Sequence, residues 1–310
     1  MSIDVFLTSI YGALGQGLLH ALVAIGIFLN LRVMRKPDLT VEGSFAFGGA
    51  IAMTMLAGGS HFAVVLMIAP LGGAAAGMVT GLIHTKLKID GIISGLLVTM
   101  ALFSINLFVM GSSNISAPLD TFVNTPIRLW LVGLGMQPFN ALLTSYIIVG
   151  VIVVALVITA LYFLFRTEFG LSIRATGSNE YMARSNGINT DSRKIFVLVL
   201  SNAIIALSGA LVVQQQSGAS VHSGAGILVI GLAALVIGEV ITPKKANMLI
   251  KLLFVVAGAF IYFSIISVVI ISGLMSTDAT RLLAAALTLI ALCIPKIKQL
   301  WKDRRAYGRT

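Results

Sequence analysis

The sequence predicts an all-α polytopic membrane protein with about nine transmembrane helices; eight to ten would also fit. Of the 310 residues, 58% are hydrophobic and 10% are charged, and the mean hydropathy is +1.02. Such a chain has too few polar residues to cover a water-soluble globule of this size. Its apolar residues fall into segments of spanning length, and its basic residues fall into alternate connections. Only helices satisfy the backbone of each segment internally, which makes the predicted fold helical.

Nine segments reach or approach the roughly 20 apolar residues that cross the hydrocarbon of a bilayer. The second is short and the seventh is rich in glycine, so either could enter and leave on one side. The segments are 10–30, 41–57, 62–84, 91–110, 141–165, 195–216, 225–242, 250–271 and 279–294.

No Lys or Arg precedes Arg32, so the first segment lacks the basic region of a signal peptide and we expect it to remain in the mature protein. His20 lies in the middle of this segment. It is either a neutral, hydrogen-bonded packing residue or part of a solute path. Glu42 begins the second segment, where a helix N-terminus favours a carboxylate, so it is either a helix cap or a path residue. In the third segment Gly73, Gly77 and Gly81 recur every four residues, which predicts close packing against another helix.

The connection 111–140 is predicted to be extracytoplasmic. Within it the run 127–134 is long enough for a helix at the membrane interface but not for a span. Trp130 would lie at the lipid headgroups there, and the loop either anchors to the membrane or provides a docking site.

The connection 166–194 is predicted to be cytoplasmic and to contain a short helix over 179–186. Ser178 is the expected N-cap, Gly187 suits the position that ends the helix, and Asp191 can cap the next span. A helix of two turns is unstable alone in water, so a partner surface or the adjoining spans must hold it.

The sixth segment ends in three consecutive glutamines, Gln214, Gln215 and Gln216, and a glycine-rich stretch containing His222 follows. Glycine permits the backbone of a broken or re-entrant segment. The region is either an outer gate that receives a solute or a solvated hairpin.

Nine spans place all but Arg128 and Arg281 of the 21 Lys and Arg residues on one side. By the positive-inside rule the N-terminus is outside, and the C-terminus with the basic tail 295–310 is cytoplasmic. The net charge of +10 therefore reflects membrane topology, and no nucleic-acid partner is predicted. Glu239 is expected near the inner interface, either pairing there or lining a path.

No His, Cys or carboxylate pair has metal-ligand spacing, and no phosphate-binding G-x-x-x-x-G-K-[ST] motif occurs. We therefore predict no catalytic residue, metal site or cofactor in this chain, and no ATP hydrolysis by it.

Two stretches carry a resemblance to a known family. The segment RATGSNEYMARSNGIN resembles the coupling-helix signature of permease subunits of ATP-binding-cassette importers, in the branched-chain amino acid and ribose permease group. The segment PDLTVEGSF, residues 37–45, is similar to the opening of the second helix of these permeases, and its Glu-Gly-Ser-Phe form resembles a branch assigned to tryptophan or tyrosine uptake. The matching signature positions are Arg174, Ala175, Gly177, Asn179, Ala183, Gly187, Ile188 and Asn189.

The resemblance implies a single permease domain over 1–310 in a multi-pass protein of the bacterial inner or plasma membrane. It implies a second permease copy, as a homodimer, cytoplasmic ATPase subunits that bind ATP and Mg²⁺, and an extracytoplasmic solute-binding protein. The solute would be small and would be an amino acid, with aromatic amino acids among the candidates. Ten transmembrane helices are common among members of this family, one more than the nine segments counted in this sequence. The implied ATPase-contact residues are Asn179, Glu180, Ala183, Arg184 and Gly187, and the candidate path residues are Gln214, Gln215, Gln216, His222 and Glu42.

Four alternatives stay open. An importer of sugars or nucleosides would have the same architecture. An ion-coupled secondary transporter is disfavoured because the chain offers few charges near the membrane midplane. A passive channel would need a polar stripe along a pore, and an assembly scaffold would bind partners without moving a solute.

Overall fold

The computed structural model describes residues 3–243, 245–272 and seven positions between 282 and 293. The ninth predicted span, 279–294, falls outside these residues apart from the seven positions, and the predicted tail 295–310 falls outside them entirely.

Seven helices among the described residues are long and apolar enough to cross a membrane. They coincide with the first six and the eighth of the predicted spans, so the prediction of an all-α polytopic protein is confirmed for this part of the chain. The exact number of nine stays a prediction. The helices are α1 (Ile3–Phe28), α2 (Thr40–Ala57), α3 (Phe62–Lys86), α4 (Gly91–Met110), α6 (Pro138–Leu164), α9 (Thr190–Gln215) and α11 (Met248–Ile271).

Shorter elements connect these helices. A π-helical turn, Leu29–Val33, extends α1, and a 3₁₀ turn, Leu119–Thr121, precedes α5. Two strands of two residues each, β1 and β2, pair antiparallel. The helix predicted around Trp130 is present as α5, while its place at the membrane interface stays a prediction. The remaining elements are α5 (Thr125–Gly133), α7 (Glu168–Ser178), α8 (Glu180–Ser185), α10 (Ile227–Ile241), β1 (Asn114–Ile115) and β2 (Ala219–Ser220).

The bundle has two ends that differ in charge. The end of α1, the end of α3 and the start of α11 lie at one of them, which we call the basic end. Among the described Lys and Arg residues, all but Arg128 lie at or next to it. We call the other the opposite end. The charge distribution matches the positive-inside pattern, while the assignment of the basic end to the cytoplasm stays a prediction.

Helix α9 occupies the centre of the bundle and contacts α1, α2 and α3. Helix α3 approaches it through its glycines, as the four-residue spacing predicts. A Cβ atom at Gly73 would lie 2.3 Å from the Asn202 carbonyl oxygen, and one at Gly77 would lie 2.2 Å from the Leu198 carbonyl oxygen. Both distances are too short for any side chain, so glycine is required for this backbone approach.

Helix α2 begins inside the bundle rather than at its basic end. Its first residue, Thr40, lies 2.7 Å from Thr80, oxygen to oxygen, and Thr80 is six residues, about 9 Å, before the end of α3. This deep start explains why the second predicted span is short.

The carboxylate of Asp38 holds the start of α2. Oδ1 accepts the Thr40 backbone N–H at 2.8 Å, and Oδ2 accepts the side-chain amides of Asn202 at 2.8 Å and Asn30 at 3.2 Å. Asp38 is 4% exposed. The chain therefore contains a buried carboxylate among its helices. The sequence-based expectation of few charges near the membrane midplane does not include it. The sequence pattern does not indicate it, because Asp38 lies in the polar stretch between two apolar segments.

The connection between α9 and α10 turns back into the bundle. Strand β2 pairs with β1, just beyond the end of α4, and the chain then descends to the first turn of α2. A Cβ atom at Gly224 would lie 2.0 Å from the Glu42 carbonyl oxygen. Helix α10 starts at this depth and ends near the basic end, where Glu239 pairs with Arg32. The seventh predicted span, 225–242, thus corresponds to α10, a helix of 15 residues that starts at depth after an inward loop.

We expect Gly77→Ala to lower the free energy of unfolding by about 1–3 kcal/mol, because the added methyl group forces α3 away from α9. Thermal denaturation of the detergent-solubilised protein measures the change. The matched control is Gly133→Ala on α5, where a Cβ atom meets nothing within 4 Å. Equal transition temperatures for the two variants would contradict the close approach of α3 and α9.

We expect Asp38→Leu to be more damaging, because the buried donors of Thr40, Asn30 and Asn202 would lose their acceptor, at about 1–3 kcal/mol for each unpaired donor. The control is Asp120→Leu, which removes a carboxylate that is 89% exposed and paired with Arg128, a type of surface pair that contributes about 0–1 kcal/mol. The same denaturation experiment applies. A wild-type transition temperature for Asp38→Leu would rule out this role for Asp38.

Candidate functional site

The predicted cytoplasmic connection forms two helices, α7 and α8, separated by one extended residue. That residue is Asn179, with φ −152° and ψ 105°, and its side-chain oxygen accepts the Met182 N–H at 3.1 Å. Asn179 is therefore the N-cap of α8, and the expectation of a Ser178 cap is wrong. Ser178 is the last residue of α7, and a residue in helical conformation cannot cap the next helix.

The end of α8 follows the prediction more closely. Gly187 has φ +79°, the left-handed conformation that favours glycine. Its N–H donates to the Arg184 carbonyl, and the Ile188 N–H donates to the Ala183 carbonyl. The cap of α9 is Asn189, whose side-chain oxygen accepts the Ser192 N–H at 3.1 Å. The expected cap, Asp191, lies in the first turn of α9 and binds an arginine instead.

Ion pairs attach α8 to the first turn of α9. Lys194 of α9 donates to Glu180. Arg184 lies 3.5 Å from Glu180 and 3.3 Å from Asp191, and donates to the Thr190 hydroxyl at 2.9 Å. These bonds tie the short helix to the central helix of the bundle.

The charge state of Glu180 favours this attachment. Partial burial raises its pKa, but the hydrogen bond and charge of Lys194, together with Lys36 and Arg184, outweigh the burial and lower the pKa below its ordinary value. Glu180 is therefore ionised at neutral pH and can keep both pairs.

Helix α7 is attached to the end of α1 and to α9. Its Gly177 lies so close to the π-helical turn that a Cβ atom there would be 1.8 Å from the Val33 carbonyl oxygen. Ile173 is fully buried, and the guanidinium of Arg193 lies 4.0 Å from the centre of the Phe169 ring. Helices α7 and α8 thus contact the bundle at two places.

The outward surface of α8 is apolar. Tyr181 is 86% exposed and Met182 is 64% exposed, whereas Ala183 is buried. Glu180 and Arg184 are one helical turn apart and both bind toward α9. Of the three residues between them, Ala183 packs inward, while Tyr181 and Met182 face away from the bundle. The sequence motif does not single out Tyr181 and Met182; the direction of the ion pairs identifies them.

A second polar feature lies deep in the bundle. A cavity of about 160 Å³ is bounded by the first turn of α2, the middle of α4 and the inward loop before α10. Glu42 lies on it, and one carboxylate oxygen accepts the Gly226 N–H at 3.0 Å. His222, from the same loop, packs against Phe103 of the cavity wall with ring centres 5.2 Å apart. Of the five candidate path residues, the structure therefore places Glu42 on the cavity and His222 against one residue of its wall.

Asn106 of α4 also lines this cavity. It is 1% exposed, and its side-chain oxygen has no hydrogen-bond partner. From Leu96 to Asn106 the cavity follows about 15 Å of α4 and stops at least one helical turn short of each end of the helix. The sequence pattern does not indicate Asn106, because one amide in an apolar segment reveals neither its depth nor its neighbours.

The three glutamines lie elsewhere, where α9 ends at the opposite end of the bundle. Gln214 is buried and both its side-chain groups are bonded: the oxygen accepts the Val123 N–H at 2.9 Å, and the amide donates to the Ala210 carbonyl at 2.8 Å. Gln215 is half-buried and Gln216 is exposed. The structure does not bring them together with Glu42, and their place in a solute path stays a prediction.

The other two ionisable candidates have partners in the protein. His20 is buried, its Nδ1 lies 2.9 Å from the Gln16 carbonyl oxygen, and its ring packs against Phe263. Glu239 pairs with Arg32 near the basic end. These positions agree with packing and interface pairing, the first of the two roles weighed for each residue. Within the described part of the chain, no group of three His, Cys, Asp or Glu residues could hold a metal ion.

Comparison with known proteins identifies a family and several relatives, of which two are given below. A family model described as branched-chain amino acid transport system / permease component matches residues 9–292. The tyrosine transport system permease protein of Clostridioides difficile (strain R20291) is 33% identical over 285 residues, which is 92% of this chain and 90% of that protein. The ribose import permease protein RbsC of Escherichia coli (strain K12) is 28% identical over 232 residues, 75% of this chain and 69% of that protein.

We expect Glu180→Gln to loosen α8, because a neutral amide loses the attraction of Lys194 and Arg184. Hydrogen–deuterium exchange should become faster at residues 181–185 relative to wild type. The matched control is Glu168→Gln in the first turn of α7, an exposed glutamate. Since the folded-state pKa of Glu180 is lowered, its stabilising effect is present above the ordinary glutamate pKa and is lost as the pH falls through the lowered value. Unchanged exchange in Glu180→Gln at neutral pH would contradict the attachment.

Proposed function

The chain belongs to the family of the branched-chain amino acid transport system permease component, and from this premise we propose that it forms the translocation path of an ATP-driven importer for a small solute. Membership confirms the resemblance carried by the two sequence motifs. The permeases of this family are multi-pass membrane proteins, in agreement with the seven helices of spanning length.

The attachment and outward surface of α8 carry this proposal. A helix of six residues is unstable alone, and here it is held to α9 by ion pairs while its apolar residues Tyr181 and Met182 remain exposed. Exposed apolar side chains on a fixed element are typical of a protein-binding surface. We propose a cytoplasmic ATPase subunit as the partner, because this chain has no phosphate-binding motif of its own.

Alternating access would follow from the contacts of α7 and α8. When ATP closes the ATPase subunits, the bound α8 would displace the start of α9, and α7 would displace the end of α1. Since α9 contacts α1, α2 and α3, its displacement would reach the cavity beside Glu42. ATP and Mg²⁺ would bind to the partner, and this chain would need no cofactor.

The proposed orientation places the basic end in the cytoplasm and the opposite end outside, in the cell membrane of a bacterium. Helix α5 lies on the outer side in this arrangement, with Trp130 63% exposed and Leu129 62% exposed. Such residues suit the membrane interface. The loops around β1 and β2 would then receive the solute from an extracytoplasmic binding protein.

A second copy of the chain is proposed from the position of Glu42. The cavity opens on a face of α4 that exposes Leu96, Met100 and Phe103. In a single copy this face would put a carboxylate beside hydrocarbon, which costs about 2.5–3.5 kcal/mol on insertion scales. Two copies meeting on this face would cover it, and a solute path would run between them.

The proposed solute is an amino acid, with aromatic amino acids as first candidates. The relative named for tyrosine transport is 33% identical over 92% of this chain. A sugar is the second candidate, because the relative named for ribose import also matches over 75% of the chain. An uptake assay with both solutes separates the two.

We expect the double substitution Tyr181→Ala with Met182→Ala to reduce ATP-driven uptake at least about tenfold, since losing an interface contact of about 1.4 kcal/mol lowers occupancy by that factor. The assay uses proteoliposomes with the partner ATPase, and co-purification of the ATPase gives a second readout.

The control for this prediction is Leu87→Ala, which truncates a residue of the basic end that is 66% exposed but lies outside α7 and α8. It should leave uptake unchanged. Wild-type uptake by the double variant would contradict the role of α8, and uptake by wild type without any ATPase subunit would overturn the proposed function.

A further inference from the structure

Glu42 has no cationic partner among the described residues. Five ion pairs connect other carboxylates to Lys or Arg, and none of them involves Glu42. The residues that line its cavity include no Lys or Arg either. A carboxylate within a spanning helix normally faces a counter-charge or a polar pathway.

The hydrogen bond from Gly226 does not account for the charge. It needs one acceptor oxygen near the start of α10, and a neutral glutamine side chain provides the same oxygen at the same length of side chain. This hydrogen bond therefore does not require the negative charge of Glu42, and it does not involve the second carboxylate oxygen.

Asn106 adds a second free acceptor to the same cavity. Its side-chain oxygen is buried without a partner, and a polar atom left in this way is costly unless a donor reaches it. The neighbouring Thr99 donates its hydroxyl to the Leu39 carbonyl at 2.8 Å, so it does not supply that donor in this conformation. The remaining wall is mostly apolar, with Leu96, Met100 and Phe103.

A carboxylate and an amide oxygen in an otherwise apolar cavity suit a ligand group that is positively charged and donates several hydrogen bonds. A primary ammonium has three donors and no acceptor. Building on the proposed function, we propose that Glu42 and Asn106 bind the α-ammonium group of an amino acid during its passage through the membrane.

This arrangement also predicts selectivity. An anion without an ammonium group would be repelled by Glu42, and a sugar hydroxyl could satisfy Asn106 but would gain little from the negative charge. The apolar wall would contact the side chain of the amino acid. The cavity holds about 160 Å³ in one copy, and the facing copy would enlarge it.

The test compares Glu42→Gln, Glu42→Asp and Asn106→Leu with wild type in proteoliposomes containing the partner ATPase and the solute-binding protein. The probes are radiolabelled tyrosine, tryptophan and leucine, with ribose as a neutral solute. The readout is the uptake rate at saturating binding protein, because the half-saturating concentration reflects the binding protein as well. The control is Asp90→Asn, which removes an exposed carboxylate outside the cavity and outside α7 and α8, and which keeps a side-chain oxygen to accept the Ile92 N–H.

We expect Glu42→Gln to lower the amino acid uptake rate at least about tenfold, the loss expected when one charge-assisted hydrogen bond is removed. Glu42→Asp should retain more activity because it keeps the charge. Asn106→Leu should also be slower than wild type. The transition temperature of Glu42→Gln should equal that of wild type, since the acceptor for Gly226 is kept.

The outcomes separate this inference from the proposed function. If wild type transports an amino acid and Glu42→Gln is equally fast, a capping role suffices and the inference is wrong, while the importer stands. If wild type transports ribose but no amino acid, the inference is also wrong and only the solute class of the importer changes. If wild type shows no ATP-driven uptake of any probe, the proposed function itself fails.

Discussion

The structure depends on satisfying backbone polar groups where helices begin inside the bundle. Helices that span a membrane bond their own backbone, but the first turns of α2 and α10 start at depth and have free N–H groups there. Asp38 accepts the Thr40 N–H at one of these starts, and Glu42 accepts the Gly226 N–H at the other. Two carboxylates four residues apart thus allow two helices to begin near the centre of the molecule.

The same contacts give a continuous connection from the basic end to the cavity. Glu180 of α8 binds Lys194 of α9, and Asn202, about two turns further along α9, binds Asp38. Asp38 holds the first turn of α2, on which Glu42 lies. The first two of these contacts join side chains that are at least partly buried, and the third joins the Asp38 side chain to the Thr40 backbone N–H. Helix α9 connects Lys194 to Asn202. A displacement of α8 would therefore move the start of α2 along with α9.

The sequence predicts the helices well because length and apolar character suffice to identify them. It also predicts the close packing at Gly77 and the end of α8 at Gly187, since glycine alone allows such an approach or such a φ. The sequence-based prediction fails where two neighbouring polar residues could both act as the cap of the same helix. Ser178 and Asn179 can both cap a helix, and the choice depends on where α7 ends.

Asp38 and Asn106 are the larger gap between sequence and structure. Asp38 is adjacent to polar residues in sequence, so its burial depends on the depth at which α2 begins, and that depth is set by contacts with α3 and α9. Asn106 is a single amide in an apolar helix, and its free oxygen becomes visible only when the inward loop before α10 is placed against α4. Neither position has a periodicity or a motif of its own. Tertiary contacts decide both.

Asp38 and Glu42 also show how a supporting carboxylate differs from one that can bind a solute. Asp38 is buried and accepts donors from Thr40, Asn30 and Asn202, so both of its oxygens already have partners within the protein. Glu42 accepts one donor and lies on a cavity that contains another free acceptor. A ligand could reach the oxygens of Asp38 only by breaking those hydrogen bonds first. At Glu42 no such bonds have to be broken. A donor group that enters the cavity can pair with the carboxylate directly.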